Sequence, residues 1–184
     1  VLYVISRGQE GAGGITLPNK RIGKLTMNEE FLGDFAGADF TWPSGLTVDR
    51  EDNLFCSDEY GNFIAKYNDD GEQIDKWGEF GSEPGQLNGP SGLASDCEDN
   101  IYVVDSKNER IQKFSLTGEF LYSWGSPGTE QGQFNRPWGI TLDKQGNVYV
   151  ADWGNDRVQK FSDTGTFLRS FGTSKEEGGD LNHP

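Results

Sequence analysis

The chain has 184 residues, a net charge of −14 and a sequence pI of about 4.4, and an acidic surface of that size repels phosphate backbones, so nucleic acid is not an expected partner. No apolar run approaches the roughly 20 residues that a membrane-crossing helix needs, so no membrane span is expected in this segment. Only 33% of the residues are hydrophobic, but 12% are aromatic and 26 are glycine, a mixture that favours many short strands joined by tight turns.

An internal repeat organises the whole chain. Pro43, Pro90, Pro137 and Pro184 are each 47 residues apart. The same step relates Gly45, Gly92 and Gly139, then Asn53, Asn100 and Asn147, then Asp58, Asp105 and Asp152, then Gly71, Gly118 and Gly165. Several residue types held in one register point to a stacked repeat architecture.

In chain order, residues 1–36 form an altered copy of the unit. Leu2-Tyr-Val-Ile-Ser-Arg-Gly8 aligns with Val148-Tyr-Val-Ala-Asp-Trp-Gly154, and Arg21-Ile-Gly-Lys-Leu25 aligns with Arg157-Val-Gln-Lys-Phe161. Its first strand is missing, and its loop carries ten extra residues within an insertion spanning 9–20. The insertion is expected to fold over the mouth of the assembly near Arg7, because long surface loops cost little stability and often carry specificity. Three full units follow at 43–78, 90–125 and 137–172, and 173–184 lead toward a further unit. Val1 opens inside a strand-like run with no initiator Met, so the chain is expected to be a fragment of a longer protein.

The last full unit illustrates the pattern. Strands are predicted at 138–142, 148–151, 158–161 and 166–171, separated by Asp143-Lys-Gln-Gly-Asn147 and Ser162-Asp-Thr-Gly165, which have turn composition. Val148-Tyr-Val-Ala151 has no polar side, as expected of a strand covered on both faces. Four short strands make one small antiparallel sheet, which needs neighbours on both sides to bury its faces.

Pro-Trp-Gly-Ile-Thr-Leu-Asp at 137–143, Asn-Val-Tyr-Val-Ala-Asp at 147–152 and Asn-Asp-Arg-Val-Gln-Lys-Phe at 155–161 resemble the NHL repeat, as does Gly132-Gln-Phe-Asn135 in the preceding linker. The resemblance covers essentially the whole chain. It implies an all-β fold, a β-propeller of four-stranded antiparallel blades, here an incomplete ring whose full-length form has six blades.

Comparing the units separates scaffold from candidate site. Asp105 and Asp152 precede short loops with Asn108 and Arg110, or Asn155 and Arg157, and are read as structural anchors accepting loop N–H groups and a guanidinium. Phe63 stands where the later units have Arg, depriving Asp58 of that partner. Trp77-Gly78, Trp124-Gly125 and Phe171-Gly172 are read as blade packing, and Lys24, Lys66, Lys113 and Lys160 as stems on the sheet. The positions that differ lie before each repeat proline (Trp42, Gly89, Arg136, His183), after it (Ser44, Ser91, Trp138) and after the anchor aspartate position (Arg7, Glu59, Ser106, Trp153). In a propeller these fall around the mouth of the central channel. Arg7, Trp42, Arg136, Trp138, Trp153 and His183 are therefore the candidate ligand contacts, against the alternative that exposed loop positions simply drift.

The expected function is a recognition platform for a protein, peptide or glycan, without cofactor or metal; a signal peptide with attached modules would make it secreted or cell-surface. The alternative is a lyase- or lactonase-type propeller enzyme with its catalytic residues in blades beyond this segment. Propeller lyases of the peptidyl-α-hydroxyglycine type hold zinc with histidines directly after the repeat proline, where this chain has Ser44, Ser91 and Trp138. A tripartite-motif recruiting or RNA-binding domain would predict a basic face. Cys56 and Cys97 are in no CxxC pair and are expected to be free.

Overall fold

The computed structural model describes residues 1–7, 20–36, 39–172 and 184. Among these described residues, fifteen strands form four antiparallel sheets in chain order. The first has three strands, β1 (Leu2–Ser6), β2 (Arg21–Leu25) and β3 (Phe31–Ala36). The second has β4 (Pro43–Val48), β5 (Leu54–Asp58), β6 (Phe63–Tyr67) and β7 (Gln73–Trp77). The third has β8 (Pro90–Ser95), β9 (Ile101–Asp105), β10 (Arg110–Phe114) and β11 (Phe120–Trp124). The fourth has β12 (Pro137–Leu142), β13 (Val148–Asp152), β14 (Arg157–Phe161) and β15 (Phe167–Phe171). Every strand pairs only with its sequence neighbours, so each sheet is an up-and-down blade.

The blades stack through three apolar layers. Phe35, Phe40, Leu54 and Phe63 fill the layer between the first two sheets; Phe55, Ile64, Leu93 and Val103 fill the next; Tyr102, Ile111, Val150 and Phe161 fill the last. β5 and β9 are buried along their whole length, as strands covered on both faces must be. β13 differs from the sequence expectation: Tyr149 and Ala151 are half-buried, because among the described residues no sheet packs on that face of the fourth blade.

Close approach of the first strands explains the repeated glycine. A β-carbon at Gly45 would lie 2.3 Å from the Ser91 carbonyl oxygen, and one at Gly92 would lie 2.6 Å from that of Trp138. At Gly139 the nearest atom would be the Ala151 Cβ of its own sheet, at 3.6 Å. Farther out, Trp77 and Trp124 press on the hairpin turns of the next blade, at Gly118 and Gly165, where φ is 77° and 81°. Trp77 and Trp124 therefore do serve blade packing, whereas Phe171 is 36% exposed and stacks on Tyr149 of its own blade.

At one end of each full blade a turn aspartate collects the hairpin. Asp143 accepts the backbone N–H of Gln145 and Asn147, the Asn147 amide, and the Lys160 ammonium at 3.2 Å. Asp96 and Lys113 repeat this at 2.9 Å, and Asp49 and Lys66 at 3.6 Å. Lys113 and Lys160 also lie over Tyr102 and Tyr149, 4.7 and 4.8 Å from the ring centres. These lysines are sheet-lying stems, as expected, and each is tied down by the turn aspartate at its end of the blade.

Candidate functional site: the channel mouth

The opposite end of each full blade is organised by a buried carboxylate, Asp58, Asp105 or Asp152, toward the close of the strand that Pro43, Pro90 or Pro137 pairs with. Asp152 accepts the backbone N–H of Asn135 at 2.8 Å through one oxygen. Its other oxygen takes the Asn155 amide at 2.9 Å, Arg157 Nε at 2.7 Å and the Gln159 amide at 3.1 Å. Asp105 has the same partners one unit earlier, namely the Asn88 N–H, Asn108, Arg110 and Gln112. Burial pushes the Asp105 carboxyl above its usual range, opposed by its bonds from Asn108, Asn88 and Arg110. These aspartates are structural anchors.

Each anchored guanidinium also holds the linker before its own blade. Arg157 donates to the carbonyls of Thr129, Glu130 and Gln133, and Arg110 to those of Ser82, Glu83 and Gln86. The second blade departs from this for a reason absent from any single position. Its linker has six residues between β3 and β4, against twelve before the third and fourth blades. The loop that the arginine would clasp is missing, and Phe63 and Ala65 replace the Arg and Gln. Asp58 instead accepts the backbone N–H groups of Thr41, Trp42 and Gly61, while Phe63 stacks with Phe40 across 6.5 Å.

These anchors fix the residues on either side of each repeat proline, and three of the six candidates meet there. Arg7, directly after β1, donates from Nε to the Pro43 carbonyl at 3.0 Å. Its guanidinium carbon lies 5.5 Å from the Trp42 ring centre and 5.8 Å from that of Trp138. One cation from the first blade thus sits between indoles of the second and fourth blades, each within cation–π range. Trp42 is half-buried and Trp138 is 39% exposed.

Arg136 and Trp153 lie at the same end of the fourth blade but outside this trio. Arg136 is exposed just before β12 with φ 50°. Trp153, 37% exposed, opens a 3-10 turn over Trp153–Asn155. His183 lies outside the described residues, as does the insertion at 9–20 apart from Lys20. The Lys20 ammonium is 5.7 Å from the Trp42 ring.

Sequence comparison missed a further part of the mouth. Tyr60 meets Trp42 edge-on at 5.6 Å, and Lys107 reaches both the Tyr60 ring, at 5.0 Å, and Glu59, at 3.5 Å. Tyr60, Lys107 and Gly154 are one repeat apart. Carrying the comparison one position past Glu59, Ser106 and Trp153 would have found them.

No group of three or more His, Cys, Asp or Glu side chains able to hold a metal occurs among the described residues. Among the described residues no helix is long and apolar enough to cross a membrane. Both cysteines are free, Cys56 buried and Cys97 exposed.

Known proteins give the wider frame. The family model "NHL repeat" matches residues 87–114 and 134–161, while no curated protein sequence matches significantly. Among solved structures, a catalytically inactive virginiamycin B lyase from Staphylococcus aureus, crystallised with quinupristin, is similar with a TM-score of 0.61 and 15% identity over 91% of this chain and 54% of that one. A streptogramin B lyase is similar with a TM-score of 0.61 and 17% identity over 82% of this chain and 47% of that one. A chain of the nidogen/laminin complex gives 0.60 and 19% over 82% of this chain and 55% of that one. The present chain thus spans about half the length of these solved chains, and at such identities the likeness is one of fold. Residues 87–114 and 134–161 thus carry NHL repeats, in the 47-residue register and on stacked four-stranded blades, and the fold is that of a β-propeller.

Proposed function

We propose that this arc belongs to a six-bladed ring whose channel mouth is a recognition platform for a protein, peptide or glycan. One observation carries the reading: Arg7 is held over Trp42 and Trp138, so three blades contribute to one cation–aromatic cluster. Residues that serve only the blades repeat every 47 positions, whereas these three are each particular to their own blade. Partly exposed Trp and Arg on a rigid scaffold are among the side chains that most often dominate binding energy. Their supports are stiff: Trp42 hangs from Asp58, and the segment before Trp138 hangs from Asp152.

The test is capture of ligands by the immobilised chain, comparing the native protein with Trp42→Ala, Trp138→Ala and Arg7→Ala. Each substitution is expected to weaken binding by tenfold or more, with the melting temperature unchanged for Trp138→Ala. Binding that is indifferent to all three would refute the reading.

A further inference from the structure

We infer that Arg136 is a ligand contact for a carboxylate, and that the mouth recognises a short peptide motif carrying one or two acidic side chains beside an apolar one; this rests on the mouth being the binding site. The first observation is backbone strain. The residue before the repeat proline is left-handed in both the third and fourth blades, with φ 65° at Gly89 and 50° at Arg136. Glycine takes that conformation freely, whereas a residue with a β-carbon is strained there. The fourth blade places arginine where its neighbour places the residue that fits.

The second observation is a reciprocal exchange between blades. In the third blade Gly89 faces Lys107, whose stem would be 2.9 Å from a β-carbon at position 89. In the fourth blade the corresponding pair is Arg136 and Gly154, and a β-carbon at Gly154 would lie 2.6 Å from the Asn135 side chain. The cation is retained in each blade but supplied from opposite sides of the pair. Lys107 is neutralised by Glu59 on the preceding blade. The residue one repeat after Glu59 is Ser106, so Arg136 has no equivalent counter-ion. Among the described residues Arg136 makes no ion pair. Arg136 is exposed, so its left-handed backbone serves no buried contact.

Charge selects the partner. Arg7, Lys20 and Arg136 have no carboxylate within ion-pair distance among the described residues, on a chain whose net charge is −14. At physiological ionic strength fields decay over about 8 Å, so a compact anion at the mouth is attracted, while an extended polyanion also meets the acidic surroundings. That disfavours acidic glycans, which repeat their charge along the chain. It favours a localised carboxylate, matched by the guanidinium fork, with a neighbouring apolar side chain on the exposed ring of Trp138.

The test uses the full chain and a positional-scanning pool of fluorescent pentapeptides, with Arg136→Gly, Arg136→Lys and Trp138→Ala, and a chondroitin tetrasaccharide as the glycan arm. The native chain is expected to enrich Asp and Glu next to apolar residues. Arg136→Gly should bind the selected peptide about tenfold more weakly and lose the acidic preference, with a melting temperature equal to or above the native value. Arg136→Lys should recover part of the affinity, and Trp138→Ala should weaken acidic and neutral peptides alike. If Trp138→Ala weakens binding but Arg136→Gly keeps the acidic preference, the inference falls and the mouth reading stands. A lowered melting temperature in Arg136→Gly, or capture of the tetrasaccharide in place of peptides, also overturns it. Absence of binding by every pool and by the tetrasaccharide overturns both.

Discussion

Replacing Gly92 by alanine tests whether the first strands of neighbouring blades are in backbone contact. The new β-carbon would lie 2.6 Å from the Trp138 carbonyl oxygen, 3.0 Å from the Ile140 nitrogen and 3.2 Å from the Gly139 Cα. All three are backbone atoms inside β12, so no side chain can swing away. Restoring a contact near 3.5 Å requires β8 and β12 to part by roughly an ångström. Overpacking of this kind costs about 1–3 kcal/mol, reduced by the ~0.4–1 kcal/mol that alanine gains over glycine through the unfolded chain. Gly139→Ala is the internal control, since its β-carbon meets only Ala151 Cβ at 3.6 Å and should be neutral or slightly stabilising. Urea unfolding followed by tryptophan fluorescence should separate the two variants by about 1–3 kcal/mol. In a protein of this length that corresponds to several degrees in melting temperature. Equal effects of the two substitutions would show that the blades do not meet through this strand.

Other expectations follow from the clamps at the two ends of each blade. Arg110→Ala leaves the buried Asp105 charge without its guanidinium and withdraws one donor from each of three linker carbonyls, and thermal unfolding should show a loss of about 3–5 kcal/mol. Hydrogen bonds from Asn147 and the Lys160 ammonium hold Asp143 below the usual carboxylate range; burial pushes Asp96 up, but bonds from Lys113 and Asn100 outweigh it. Both groups have folded values below their unfolded ones, so their contribution is complete above about pH 4 and is lost as pH falls further. A melting temperature that does not fall in acid would contradict the clamps. A thiol reagent should label Cys97 in the native chain and reach Cys56 only on unfolding, because burial, with the nearby Asp58, pushes that thiol far up; equal labelling rates would contradict the packing of β5.

The strands and anchor aspartates were legible in the sequence because each is set by residues within one repeat. The predicted strands at 138–142, 148–151, 158–161 and 166–171 appear at Pro137–Leu142, Val148–Asp152, Arg157–Phe161 and Phe167–Phe171. The exposure of Tyr149 was not legible, since it depends on whether another sheet covers the blade. The mouth divides in the same way. Arg7, Trp42 and Trp138 stood out as departures from the repeat, but their convergence depends on the curvature of the arc, which no local pattern encodes. The replacement of Arg by Phe63 was visible from the start. Its cause lay in the length of a linker some twenty residues upstream.

That linker dependence makes the loop and its clasp one inheritable unit. Shortening the linker alone would leave a guanidinium and an amide buried beside Asp105 or Asp152 with their carbonyl partners gone, and exchanging Arg and Gln alone would strand the carbonyls. Either half-step passes through a destabilised intermediate, whereas the second blade shows the completed exchange, with Phe40 and Phe63 stacked where the loop was. Grafting linkers between blades should therefore succeed only when the two side chains on the third strand travel with them, and the spacing before a repeat proline becomes a guide to which chemistry its anchor aspartate will accept.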